Sequence, residues 1–195
     1  MKIEKHSFPW DHWTIKNSLS PEMSRRCFNA CTANRGTVYR YGKRSGQTYE
    51  KRTFLESMWW QKELNETWLR PKLLPYIKEN CSKHYKFQEG DRWRLEFTAD
   101  PPGFHLDMHP DIKEKKLSLM VYLGQETNEG TTLYDGKGKT KHVPSGFNTG
   151  MFFFPDTHTL HGFPKERAVP RYRYAIILNI VDKNFSEEPT WPVTF

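Results

Sequence analysis

The sequence predicts a mainly β fold, a jelly roll or sandwich with helices packed on its outside. From Asp91 onward, apolar and polar residues alternate with a period of two: Trp93, Leu95 and Phe97 against Arg92, Arg94 and Glu96, as a half-buried strand requires. Further short β-rich runs follow at fairly regular spacing, parted by turn residues such as Asp135-Gly136-Lys137-Gly138. The first third of the chain instead shows helical spacing, so helices cover a sheet.

Taken in order, Trp13–Lys16 is a short strand, and Ser20 with Pro21 opens a helix that runs to about Cys31. Asn34–Arg52, punctuated by Gly36, Gly42 and Gly46, reads as a loop or loose hairpin. Thr53 is expected to cap a second helix through Phe54, Met58 and Trp59. Glu66–Lys83 forms a third, on which Trp68, Leu69, Leu73, Tyr76 and Ile77 recur. After the strand that starts at Asp91 come strand candidates Gly103–Met108, Leu117–Leu123, Thr131–Tyr134, Met151–Phe154 and Tyr172–Val181. The 195 residues suffice for one domain, residues 1–195, with helical support over about 20–85 and a β core over about 91–182.

Composition narrows the function classes. Thirty Lys and Arg against 23 Asp and Glu give a net charge of +7, but the basic residues are spread along the chain, which favours solubility over a nucleic-acid surface. No run of about eighteen apolar residues could span a bilayer. Met1–Trp10 carries Lys2, Glu4, Lys5 and His6 in place of an apolar leader, so a cytoplasmic address is expected. Cys27, Cys31 and Cys81 are odd in number and lack paired zinc-ligand spacing, which makes them reduced structural thiols.

The chemistry-bearing residues lie in the β half. His105-Leu106-Asp107 puts an imidazole and a carboxylate two apart on a predicted strand, where both leave the same face. Met151–Phe154 then delivers the chain to His158 and His161, either of which can supply a third ligand. Two imidazoles and a carboxylate on one face of an octahedral ion leave adjacent positions open, as a non-haem iron(II) oxygenase needs. Arg173, leading a β-branched run, offers a planar, permanently charged fork for the far end of a dicarboxylate.

These residues resemble a known family. His105-Leu106-Asp107, Leu160-His161-Gly162-Phe163 and Arg173-Tyr174-Ala175-Ile176 look like the His-x-Asp, distal His and Arg series of the 2-oxoglutarate/Fe(II)-dependent dioxygenases, in their prolyl-hydroxylase-like branch. Val121-Tyr122-Leu123-Gly124 resembles that branch's Tyr-Leu-Asn strand end, and Gly130–Tyr134 resembles its Gly-Gly-x-Leu segment. The resemblance implies a double-stranded β-helix (cupin-like), with catalytic iron on His105, Asp107 and His161. It also implies the cosubstrate tail on Arg173 with Tyr122 nearby. The implied cofactors are Fe(II), 2-oxoglutarate and O2, with ascorbate as a reductant, and the implied activity is hydroxylation of an unactivated C–H bond with release of succinate and CO2.

Competing readings stand beside this one. His158 is the rival of His161 and Arg171 that of Arg173; His109, directly before the strand-ending Pro110, is read as solvated rim. A non-catalytic metal- or ligand-binding β-helix module is the main alternative, and a nucleic-acid demethylase the lesser one. The substrate class expected is a peptide or small molecule, with no membrane partner.

Overall fold

In this computed structural model, placement is described for residues 1–33, 38–42, 52–55, 62–124, 127–168, 171–185 and 191–192. The strands are β1 (Lys2–His6), β2 (His12–Lys16), β3 (Val38–Gly42), β4 (Arg52–Leu55), β5 (Arg92–Asp100), β6 (Leu106–His109), β7 (Lys115–Tyr122), β8 (Thr127–Tyr134), β9 (Thr140–Ser145), β10 (Thr149–Phe153), β11 (Leu160–Phe163), β12 (Arg173–Val181) and β13 (Trp191–Pro192). They form two antiparallel sheets. The larger runs β1-β2-β10-β7-β12-β5-β4-β3, with β13 also on β5, and the smaller runs β6-β11-β8-β9. This mostly β architecture, with few helices, is the expected double-stranded β-helix.

The period of two sorts each central strand between two different environments. On β5 the odd residues Trp93, Leu95, Phe97 and Ala99 join the main apolar core, while Arg94, Glu96, Thr98 and Asp100 on the opposite face are also buried. On β12 Ile176, Leu178 and Ile180 face the same core. Helices cover that core from outside: α1 (Pro21–Ala33) contributes Met23, Cys27 and Cys31, and α2 (residues 65–80) contributes Trp68, Leu69, Leu73 and Ile77. Trp13 stacks on Phe152 within it, centroids 5.0 Å apart. All three cysteines are free and buried, and burial pushes the Cys27 thiol up to about 12, so these thiols are inert packing groups.

The second described helix, α2, is π-helical over Asn65–Leu73 and α-helical over Leu74–Asn80. Pro71 sits inside it and has no N–H to donate, so the ladder shifts; the Leu74 N–H reaches Leu69 O, one residue beyond the α-helical partner. The second helix expected from Thr53 is not found at its start. Arg52–Leu55 is strand β4, paired with β5 through Thr53, Phe54 and Leu55, because a β-branched and aromatic run beside an open sheet edge gains a full ladder there. Met58 and Trp59 lie outside the described residues. Strands β1, β9, β11 and β13 are additions to the expected strands, β3 falls in the segment expected as a loop or loose hairpin, and no described helix is long and apolar enough to cross a membrane.

Candidate functional site

Between the sheets lies a small cavity of about 80 Å³. The smaller sheet lines it with Leu106, His109, Thr131, His161 and Phe163, and the larger with Ser118, Met120, Phe153, Arg173 and Asn179. Parity explains the selection on β12: Arg173, Ile177 and Asn179 face the cavity while their even neighbours face the core.

On the smaller sheet parity is broken. His161 stands opposite His109 in the β11–β6 ladder, but Phe163 stands opposite Leu106, so three steps along β6 match two along β11. This bulge turns Leu106 and His109 to the same side and leaves Asp107 outside. A Cβ on Gly162 would lie 2.7 Å from Leu106 O and 3.0 Å from Asp107 O, so only glycine admits this close backbone approach.

The bulge decides which histidine meets His161. The His109 and His161 rings are 4.5 Å apart, and His161 Nε2 lies 3.9 Å from Asp111 Oδ2. His105 and Asp107 do not line the cavity: Asp107 is exposed, and His105 Nδ1 turns back to Gly103 O at 3.2 Å. The convergence expected of His105, Asp107 and His161 therefore does not form. His109, expected as rim, and Asp111, which had no expected role, lie beside His161 in the cavity instead. The sequence signal was present, since His109-Pro110-Asp111 is a second His-x-Asp triplet four residues downstream. Pro110 ends the strand, but the carboxylate works from the following loop.

Each donor is oriented by its own backbone. His109 Nδ1 lies 2.6 Å from Asp107 O and His161 Nδ1 lies 2.9 Å from Thr159 O. A carbonyl only accepts, so both Nδ1 atoms carry a proton, and in the neutral ring each Nε2 presents a lone pair. The Thr159 carbonyl is fixed in turn by Asp156, whose carboxylate accepts the His158 and Thr159 N–H groups. His158 is thus an exposed turn residue, and His161 is the distal histidine of the cavity.

Asp111 is buried and accepts from Lys115 Nζ and Ser118 Oγ, both at 2.6 Å. Burial alone would raise its pKa, but the Lys115 charge and the hydrogen bonds from Lys115 and Ser118, with His161 adding to them when its ring is protonated, hold the carboxyl well below the usual carboxylate range. Among the described residues no three His, Cys, Asp or Glu side chains already stand close enough to hold a metal ion, but two imidazoles and one carboxylate are the donor types that a divalent first-row metal takes.

Deeper in the fold, Arg173 donates from Nε (3.0 Å) and Nη2 (2.6 Å) to Asp100 Oδ2, and its guanidinium lies 3.9 Å from the Phe163 ring. Arg171 is exposed and lines a second depression with Tyr122, Ser145 and Tyr172, which Arg173 also lines; of the two arginines, Arg173 alone reaches the inter-sheet cavity as well. Between the two arginines, the cavity selects Arg173. Tyr122 reaches it indirectly: its hydroxyl bonds Thr131 Oγ1 at 2.6 Å, and Thr131 lines the wall.

The architecture has relatives among solved structures. A Pseudomonas putida prolyl-4-hydroxylase superposes with a TM-score of 0.65 at 12% identity, covering 88% of this chain and 92% of that one. The chain carries the prolyl-hydroxylase-like dioxygenase fold. A prolyl hydroxylase of Trichoplax adhaerens, solved with a hypoxia-inducible-factor peptide, matches at TM-score 0.65 and 16% identity, over 91% of this chain and 87% of that. The viral collagen prolyl hydroxylase of Paramecium bursaria Chlorella virus-1, solved with 2-oxoglutarate, matches at TM-score 0.59 and 16% identity, over 88% and 96%. No protein-family model and no curated protein matches the sequence. Within this dioxygenase fold, the inter-sheet cavity with His109, Asp111, His161 and Arg173 is the candidate active site.

Proposed function

We propose that this protein is an Fe(II)- and 2-oxoglutarate-dependent dioxygenase that hydroxylates an unactivated C–H bond of a peptide or small molecule. The observation that carries the reading is the meeting of His109, Asp111 and His161 in one cavity with Arg173. His109 Nε2, His161 Nε2 and the Asp111 carboxylate would hold the iron, and Arg173 the tail carboxylate of the cosubstrate. Bound there, iron and 2-oxoglutarate together supply the chemistry that turns O2 into a substrate hydroxyl, with succinate and CO2 as coproducts.

The chain's own part is geometric and electrostatic. The Nδ1–carbonyl bonds place the proton of each neutral imidazole on Nδ1 and so leave Nε2 as the atom that would meet a metal. Lys115 and Ser118 keep Asp111 ionised in its buried position. Leu106, Leu119, Met120, Met151, Phe153 and Ile177 give the cavity apolar walls that exclude water. The peptide held by the Trichoplax hydroxylase of the same fold supports a peptide as one substrate class. The basic composition points no more strongly to nucleic acid, because its charges are not gathered at the cavity.

A second reading, a non-catalytic metal- or ligand-binding module, is favoured by the Lys115–Asp111 pair, since that carboxylate already has a cation at 2.6 Å. Succinate release separates the two. Purified protein given Fe(II), ascorbate, 2-oxoglutarate and air, alone and with panels of peptides and metabolites, should release succinate, and Arg173→Ala should mainly raise the 2-oxoglutarate requirement. Metal uptake with no succinate under any substrate would favour the module.

A further inference from the structure

Asp111 stands on the loop after β6, and two groups from β7 fix its buried carboxylate. Lys115 Nζ lies 2.6 Å from Oδ1 and Ser118 Oγ lies 2.6 Å from Oδ2, the oxygen that is 3.9 Å from His161 Nε2. Ser118 has a second neighbour. It stands opposite Asn179 in the β7–β12 ladder, and the end of the Asn179 amide lies 3.1 Å from Ser118 Oγ, at the atom placed as Oδ1. A serine hydroxyl carries one proton, and both of these oxygens are acceptors. The Asp111 carboxylate, with an ammonium on its other oxygen, has no proton to give, so the shorter bond takes the one from Ser118. Two oxygens left facing each other at 3.1 Å would repel. A half-turn of the amide exchanges its oxygen and nitrogen with almost no change of shape, and sets Nδ2–H on the Ser118 lone pair. Asn179 is 1% exposed and lines the same cavity, and Ser118 is the one side-chain partner its amide has among the described residues. Ser118 therefore decides which way the amide is turned.

We infer that Asn179 is a positioning residue for the metal carboxylate: its Nδ2–H donates to Ser118 Oγ and thereby commits the Ser118 proton to Asp111 Oδ2. The inference rests on the metal site of the dioxygenase reading and deepens it. Donation into Oγ also polarises the hydroxyl, so the second bond of the chain gains from the first. One effect opposes this, because the Ser118 proton draws electron density from an oxygen that a metal would use. Orientation outweighs it. A carboxylate oxygen accepts along more than one direction, so the hydroxyl and a metal can share Oδ2, whereas a carboxylate that turns on its loop loses the approach to His161. Partners of this kind, which hydrogen-bond a metal ligand, are worth about ten- to a hundredfold in metal affinity.

The test is anaerobic calorimetric titration of Mn(II) into wild type, Ser118→Ala, Asn179→Leu, the double variant and Ser118→Thr, with urea midpoints to show that each is folded and visible spectra of the Co(II)-loaded proteins. Ser118→Ala should weaken Mn(II) binding at least about tenfold and Asn179→Leu about three- to tenfold. The double variant should bind as Ser118→Ala does, because Asn179 reaches the carboxylate only through that hydroxyl. Ser118→Thr keeps the hydroxyl on a residue suited to a central strand, so it should restore both the affinity and the wild-type Co(II) spectrum. Losses that multiply in the double variant overturn the positioning role, as does Ser118→Thr binding no better than Ser118→Ala. Should Ser118→Ala not fold, Asn179→Leu alone still decides, since Mn(II) affinity and a Co(II) spectrum equal to wild type overturn the inference. A wild type that takes up no Mn(II) overturns the metal site itself.

Discussion

Asp111 Oδ2 lies 3.9 Å from His161 Nε2, although Asp111 leaves the end of β6 by way of Pro110 and His161 belongs to the neighbouring strand β11. Ser118 on β7 and Lys115 pull the carboxylate into the cavity, so the site is closed by residues of both sheets. Its behaviour follows from that arrangement.

In the proposed site Lys115 and a metal would compete for one carboxylate. Replacing Lys115 by Met should lower the unfolding free energy of the metal-free protein by about 3 kcal/mol, because it strands a buried charge. The same change should tighten Mn(II) binding, since the ammonium at 2.6 Å no longer has to be displaced. Chemical denaturation and metal titration of the one variant check both signs.

Gly162 should tolerate no side chain. Gly162→Ala places a methyl against Leu106 O and Asp107 O, and the backbone of β6 must retreat, taking His109 with it. A stability loss of about 1–3 kcal/mol is expected. A fall in metal affinity beyond tenfold is expected alongside, because the displaced strand carries a donor; calorimetry on the folded variant measures it.

His12 makes the fold acid-sensitive. It is fully buried opposite Phe153, whose ring packs 4.9 Å from His161. Its Nδ1 lies 2.8 Å from Trp10 O, and its Nε2 is buried with no hydrogen-bond partner among the described residues. Burial first, then the Lys141 charge, pull it down to about 4 against the donation to Trp10 O. The unfolded chain takes up a proton below about 6.5 that the folded chain refuses until about 4. Stability is therefore lost as pH falls through that window, by up to about 3 kcal/mol. Urea midpoints at pH 7.5 and 4.5 should converge less in wild type than in His12→Phe, which removes the titrating group.

Most of the fold was legible because its central strands bury both faces differently. The alternation at Trp93, Leu95 and Phe97 marks β5, and the aromatic run Met151–Phe153 marks β10. Strands β1 and β9 were not, since Lys2–His6 and Thr140–Ser145 carry charged and polar residues at the sheet edges, where pattern is weak. Arg173 was legible from its lead position on β12. The His-x-Asp pair was not, for a definite reason. Two such triplets lie four residues apart, same-face parity favours neither, and the bulge that selects His109 is a property of the β6–β11 ladder. A side chain's direction on either side of a bulge cannot be counted from spacing.

The central claim is that the metal donors are His109, Asp111 and His161. Anaerobic titration of Mn(II) or Fe(II) into wild type, His105→Ala, Asp107→Asn, His109→Ala, Asp111→Asn and His161→Ala tests it most directly. The first three should bind alike, and the last three should each lose affinity by at least a hundredfold. Loss of binding in His105→Ala with retention in His109→Ala would contradict it.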